Sequence, residues 1–218
     1  MRYQLIIFDL DGTLINSFDD LTDSLRFCLS QEGLPLPDDD QIRSHLGNGL
    51  AYLVRSFIPE DVGRSRSEEI FEGFLAYYEE HCADKSAPYP GVLTMLSKLK
   101  QAGIKLAVQS NKRDLPLQKL CRLHLKPYID IALGERENLR LKPSADGAEY
   151  ILGQMNIPAE KTVYIGDSEV DIQTAKNAGL ACISVDWGFR SHDSLIQSGA
   201  KLIVSSPEEL CRILTEEA

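Results

Sequence analysis

Asp9 and Asp11, one residue apart and followed by Gly12 and Thr13, are the first side chains in this sequence whose types and spacing could do chemistry. Two carboxylates so close repel each other, and burying either without a partner is expensive, so the pair asks for a compensating cation, for which magnesium would serve. Side chains alternate along an extended chain, so both carboxylates reach one point only where the backbone turns, and Gly12 permits a turn. Thr13 adds a hydroxyl and a backbone N–H. The same residues also read as an ordinary Asp-Gly turn.

Three later stretches share that character. Ser110-Asn111 places a hydroxyl, an amide and backbone N–H groups after an apolar run, a set of neutral donors suited to phosphate, or else a helix cap. Lys142, just before Pro143, could neutralise a bound phosphate and a charged nucleophile, although most lysines are solvated surface residues. In Gly166-Asp167-Ser168-Glu169-Val170-Asp171, two more acids stand a helical turn apart, with a Ser168–Asp171 capping box as the plainer alternative. Taken jointly, the four stretches follow four predicted strands in order, and open α/β sheets bind ligands at the carboxyl ends of their strands. Phosphoryl transfer suits the set. Asp9 would attack phosphorus and form an aspartyl-phosphate, while Asp11 protonates the leaving oxygen and later takes a proton from water. Lys142, Ser110 and a magnesium ion held by oxygen ligands would stabilise the charge on the phosphoryl group.

The elements that must position these residues follow from hydrophobic periodicity. Residues 4–8 predict a buried strand. Residues 17–82 carry only helical patterns. Phe18, Leu21, Leu25, Cys28 and Leu29 share one face before Gly33, and a second helix runs from Asp38 to Leu46. The Gly47-Asn48-Gly49 break leads to a helix with Leu50, Leu53 and Val54, then to a longer one with Ile70, Phe74 and Tyr78, where Ser65 and Glu68 have capping-box spacing. Residues 85–91 predict a stiff connector, after which the patterns alternate. Strands fall at 105–109, 129–133, 162–165, 181–185 and 202–204, with helices at 92–102, 115–123, 144–155, 169–177 and from Pro207. Repeated βα units predict an α/β fold, a parallel sheet core with helices on both faces, formed by residues 1–15 and 85–218. Residues 16–84 are then an all-helical cap inserted into the first crossover.

Composition narrows the partners. A net charge of −10 over 218 residues argues against a nucleic-acid backbone or an anionic membrane as the main partner and favours a small, locally captured phosphate ester. The five cysteines, Cys28, Cys82, Cys121, Cys182 and Cys211, are scattered without metal-site spacing and read as core residues in a reducing compartment. With no apolar run of membrane-spanning length and no leader pattern, a cytoplasmic location is expected. His45 and His81 read as structural or surface residues, Trp187 as packing, and Arg190 as solvated rather than as a contact to a substrate carboxylate.

Asp9 to Thr13, Ser110, Lys142 and Gly166 to Asp171 together resemble the signature of the haloacid dehalogenase superfamily. The match spans nearly the whole chain. The resemblance implies a Rossmann-like core with a helical cap after the first motif, Asp9 as nucleophile and metal ligand, and Asp11 as acid/base with its backbone carbonyl on magnesium. It also implies Asp167 as metal ligand and Asp171 as a supporting acid. An aspartate at position 11 favours phosphoryl chemistry, because dehalogenating members lack it. Within the superfamily the chain is most similar to the phosphoglycolate phosphatase group, through Asn16-Ser17, residues 45–50, Tyr89-Pro90-Gly91 and residues 185–190. Thr13, Ser110, Asn111 and Lys142 are then the expected phosphate contacts, and the Gly47, Asn48, Gly49 loop is either a leaving-group selector or a plain turn. A magnesium-dependent phosphatase acting on a small metabolite, 2-phosphoglycolate foremost, is the expected function. A phosphosugar mutase of similar architecture and a non-catalytic phosphate-binding module are the alternatives.

Overall fold

A computed structural model of the chain describes residues 3–215. Leu5–Phe8 forms β1 at the centre of a sheet of six parallel strands, and all four of its side chains are buried. Ile6 and Phe8 enter the apolar cluster on one face of the sheet, and Leu5 and Ile7 enter the cluster on the other, as alternation requires of a strand covered on both sides. The sheet is completed by β4 (Lys105–Arg113), β5 (Ile131–Glu135), β6 (Thr162–Gly166), β7 (Ala181–Val185) and β8 (Ile203–Val204), in the order β5-β4-β1-β6-β7-β8. Between them run α5 (Val92–Gln101), α6 (Asp114–Leu120), α7 (Asp146–Met155), α8 (Glu169–Asn177) and α9 (His192–Gln197), and α10 (Pro207–Thr215) follows β8. No helix among the described residues is long and apolar enough to cross a membrane.

The order reverses at β1, whose neighbours are β4 and β6, paired so that Phe8 stands beside Val108 and Ile165. This switch point opens a crevice at the carboxyl ends of three strands, and Asp9, Ser110 and Asp167 all come from them.

Helices α1 (Phe18–Gln31), α2 (Asp39–His45), α3 (Leu50–Arg55) and α4 (Arg64–His81) share a separate apolar cluster built on Leu25, Leu53, Phe74 and Tyr78. The two chain crossings between this block and the sheet are paired with each other. β2 (Ile15–Asn16) lies antiparallel to β3 (Ala87–Pro88), inside the stretch expected to be a stiff connector. Asp20, buried in the first turn of α1, accepts hydrogen bonds from the Lys85 and Ser86 backbone N–H groups and from the Ser86 hydroxyl at 2.6–3.2 Å.

Several local expectations are corrected. The Ser65–Glu68 capping box does not form, because α4 begins at Arg64 behind Gly63 and Glu68 pairs with Arg55 at 2.7 Å. The second core strand does not stop at residue 109 but runs to Arg113, with a register irregularity between Gln109 and Arg113 that re-aims the intervening side chains. The sequence pattern predicts no helix where α9 forms. Its six residues are too few to show a period, and the Ser191 hydroxyl caps it by accepting from the Ser194 N–H.

Candidate active site

The backbone holds Asp9 one residue past the end of β1, where its N–H donates to the Ile165 carbonyl at 2.8 Å. Its Oδ1 accepts from the Leu10 N–H at 2.7 Å and lies 2.8 Å from Lys142 Nζ, while no donor among the described residues reaches Oδ2. Lys142 Nζ also donates to Asp171 Oδ1 at 2.7 Å. Asp171 in turn accepts from the Ser168 N–H and hydroxyl through Oδ2, at 3.1 and 2.6 Å. The capping box and the acidic cluster, weighed as alternatives in the sequence, are therefore the same arrangement.

Asp167 occupies the end of β6 and is fixed from two sides. Thr13 Oγ1 donates to its Oδ1 at 3.0 Å, and the Phe189 N–H donates to Oδ2 at 2.8 Å. Gly12, at φ 89°, and Gly188 both lie against this carboxylate, and a Cβ at either would collide with it. Carboxylate oxygens of Asp9, Asp167 and Asp171 all lie within 4.8 Å of one another. Burial, reinforced by the charge of Asp171, pushes the Asp167 carboxyl up to about 7. Burial likewise raises Asp9 well above the usual carboxylate range; Lys142 opposes that rise, and Asp171 and Asp167 add to it. Three buried carboxylates balanced by one ammonium are short of positive charge, and every free donor atom is a hard oxygen, which fits a small divalent cation. Of the six oxygens of these three carboxylates, Asp9 Oδ2 alone has no partner among the described residues.

Asp11 is placed differently. Its Oδ1 accepts from the Ser17 hydroxyl at 2.5 Å and from Lys112 Nζ at 2.9 Å. Lys112 is 3 % exposed and also donates to the hydroxyl of Tyr78, a fully buried residue of α4. Lys112 follows two of the expected site residues directly. Its signal was its position in the Ser110-Asn111-Lys112 run behind an apolar strand, where a solvated lysine would be out of place. Tyr78 gave no signal, because its spacing is that of the apolar stripe of α4 that packs the helical block.

The expected phosphate contacts divide. Ser110 and Lys142 border the crevice, and Ser110 Oγ accepts from the Lys112 N–H at 3.1 Å. Asn111 borders it too, but its amide works inside the protein: Oδ1 accepts from the Lys142 N–H at 2.7 Å, and Nδ2 donates at 3.0 Å to the carbonyls of both Lys142 and Gly47. Thr13 turns its hydroxyl to Asp167 rather than to the crevice. In the Gly47-Asn48-Gly49 loop both glycines line the crevice, at φ 101° and 90°, whereas Asn48 faces a neighbouring cleft.

Loop 186–190 contributes more than the packing expected of Trp187. The indole N–H donates to the Thr13 carbonyl at 3.0 Å, and Phe189 both supports Asp167 and lines the crevice. Arg190 is not solvated. Its guanidinium pairs with Glu169 and donates to the carbonyls of Arg43 and Leu46, at 2.7–2.8 Å, fastening the end of α2 to the sheet.

Residues 6–185 match the family model described as haloacid dehalogenase-like hydrolase. The chain is 32% identical over 212 residues to the phosphoglycolate phosphatase of Chromobacterium violaceum, covering 94% of this chain and 93% of that protein. It is 34% identical over 215 residues to the phosphoglycolate phosphatase of Neisseria meningitidis, covering 94% and 91%. A crystal structure from Lactobacillus delbrueckii subsp. bulgaricus, assigned by inference as a phosphoglycolate phosphatase, superimposes with a TM-score of 0.94 at 36% identity over 100% of both chains.

Proposed function

The chain belongs to the haloacid dehalogenase-like hydrolases, and on that premise we propose that it is a magnesium-dependent phosphatase that hydrolyses 2-phosphoglycolate through an aspartyl-phosphate on Asp9. The observation that carries this reading is the state of Asp9, a buried carboxylate lining the crevice with Oδ1 anchored by the Leu10 N–H and Lys142 and Oδ2 unengaged. That is the arrangement a nucleophilic oxygen needs.

Asp9 and Asp167 would hold magnesium, which when bound offsets the negative charge of both the acidic cluster and the phosphate. Lys142 opposes the protonation of Asp9 that burial favours and screens the incoming phosphate from it, while the Ser110 hydroxyl, whose proton has no acceptor among the described residues, is placed to donate to a phosphoryl oxygen. Asp11 gives its proton to the leaving oxygen as the bond to phosphorus breaks. It then takes a proton from the water that attacks the aspartyl-phosphate, so each turnover restores its charge. Ser17 and Lys112 hold the carboxylate of Asp11 through a single oxygen and leave the other for that exchange.

The apolar wall of the helical block supports a small substrate. Leu21, Leu46, Leu50 and Leu53 close over the acids, and this tight apolar cover suits a small leaving group and shields the acyl-phosphate from bulk water. Phosphate release from 2-phosphoglycolate tests the proposal. The unaltered protein is expected to turn over only with magnesium, and Asp9→Asn to lose about a thousandfold or more in kcat while still unfolding cooperatively. Normal turnover by Asp9→Asn removes the nucleophile, and no turnover with magnesium present removes the substrate.

A further inference from the structure

Two cations border the crevice among the described residues, Lys112 and Lys142, and they stand in different positions. Lys142 is spent between Asp9 and Asp171, at 2.8 and 2.7 Å. Arg190, a further cation near this end of the sheet, is held by Glu169 and two backbone carbonyls and does not reach the crevice wall. Lys112 gives one N–H to Asp11 and one to the Tyr78 hydroxyl, which leaves the third N–H of its ammonium without an acceptor among the described residues. A buried ammonium with an unused donor beside a ligand crevice is a binding group waiting for an anion.

Its location says which anion. If Asp11 protonates the leaving oxygen, that oxygen must come within hydrogen-bond reach of the Asp11 carboxylate, and Lys112 Nζ lies 2.9 Å from the same carboxylate. An anionic group two bonds from the ester oxygen therefore falls beside Lys112. The wall opposite offers leucines, Phe189 and the backbone of Gly47 and Gly49, and no charged side chain to meet a carboxylate. Resting on the phosphatase reading above, we infer that Lys112, oriented by Tyr78, is the specificity-determining residue that binds the carboxylate of a phosphorylated 2-hydroxy acid. The preferred class is thus set from the core strand β4 and tuned through a phenol of the helical block, so the ammonium is fully oriented only when α4 lies against the sheet. Substrates with a neutral or cationic group at the same position leave the third N–H unpaired, and a buried unpaired donor is costly.

The decisive quantity is a ratio of kcat/KM values, for 2-phosphoglycolate over 2-hydroxyethyl phosphate, in which the carboxylate is replaced by a neutral CH2OH group. Any effect of Lys112 on Asp11 or on the fold enters both values and cancels. The unaltered protein is expected to prefer 2-phosphoglycolate by about a hundredfold, and Lys112→Met and Lys112→Gln to lower that preference at least tenfold. Tyr78→Phe, which leaves the charge in place, is expected to lower it about threefold. Lys112→Arg should retain most of the preference, since it restores a cationic donor. An unchanged ratio in Lys112→Gln overturns the inference while leaving the phosphatase reading intact, as does an unaltered protein that does not distinguish the two esters. Turnover of neither ester overturns the phosphatase reading and this inference together. If the Lys112 variants do not fold, the Tyr78→Phe ratio decides: no change from the unaltered protein overturns the inference.

Discussion

The crevice has a floor and a wall that are built on opposite principles. The floor, at the carboxyl ends of β1, β4 and β6, is charged, and nearly every acid in it is held by a partner from a distant loop: Asp9 and Asp171 by Lys142, Asp167 by Thr13 and Phe189. The wall, from α1 and residues 46–53, is apolar, and it is fastened to the floor through its backbone rather than its side chains. Asn111 holds the Gly47 carbonyl and Arg190 those of Arg43 and Leu46. Chemistry needs particular atoms at particular distances, so the floor is rigid and stapled to the sheet. Sorting of substrates needs a surface that can close and release, and carbonyl contacts allow that because they survive changes in wall side chains.

The largest break in this comparison is expected from the floor. Lys142→Met leaves Asp9 and Asp171 facing each other with no ammonium between them. Removing one member of a buried charge network costs about 3–5 kcal/mol, and loss of the group screening the phosphoryl charge costs about a hundred- to a thousandfold in kcat. Thermal unfolding and phosphate-release kinetics check the two parts separately. Burial works against the Lys142 ammonium, but Asp171 and Asp9 hold it well above the ordinary lysine range, so it stays charged across the working pH. A neutral substitute therefore removes a full charge. Magnesium should recover some of the lost stability, and a variant that magnesium does not stabilise would show that Lys142, not the metal, is the main counter-charge.

This asymmetry also explains what could be read in advance. The floor was legible because its atoms come from short runs at strand ends: Asp9 to Thr13, Ser110, Lys142 and Gly166 to Asp171 keep their spacing whatever the rest of the chain does. What remained hidden depends on contacts across long separations. Lys112 and Tyr78 meet across 34 positions, and Arg190 reaches Leu46 across 144. Arg190 read as solvated because charge predicts exposure until a carbonyl and a glutamate are brought to it. Asn111 was assigned to phosphate on the chemistry of its amide, which gives no hint that the Lys142 backbone would claim it. Strand β4 passes through Ser110, Asn111 and Lys112 because an irregularity lets three polar side chains be buried in a row, a departure from alternation that no periodicity foretells. The pairing of β2 with β3 escaped for a simpler reason: two residues are too few to show a pattern.

A smaller break is expected at the fastening. Arg190→Met keeps the length of the side chain but frees the Arg43 and Leu46 carbonyls and leaves Glu169 unpaired. Although burial alone would raise it, the Arg190 hydrogen bonds and charge hold the Glu169 carboxyl below its ordinary value, and the variant should return it upward. Because the wall and not the floor is released, KM should rise about tenfold while kcat falls less. The unaltered protein and the variant compared by steady-state kinetics distinguish this from a loss in kcat alone, which would place Arg190 with the floor.

The smallest effect concerns the floor without its cation, and its direction follows from Asp167. Burial and the charge of Asp171 raise this carboxyl from 3.8 to about 7 in the folded protein. Between those values the folded chain holds a proton that the unfolded chain has released. That proton's contribution to stability is therefore complete below the unfolded value and lost as pH rises through the folded one. The metal-free protein should accordingly lose stability from weakly acid to weakly alkaline pH. Magnesium competes with the proton for the same oxygens, so its stabilising effect should grow over the same interval. Melting temperatures with and without magnesium at pH 6 and pH 8, chosen as roughly 1 unit either side of that value, are expected to differ by only a few degrees at the lower pH and by more at the higher. An equal shift at both would mean that the ion does not displace a proton from Asp167. The floor would then be balanced by Lys142 alone, and the distinction between a charged floor that needs a cation and an apolar wall that does not would fail at its first term.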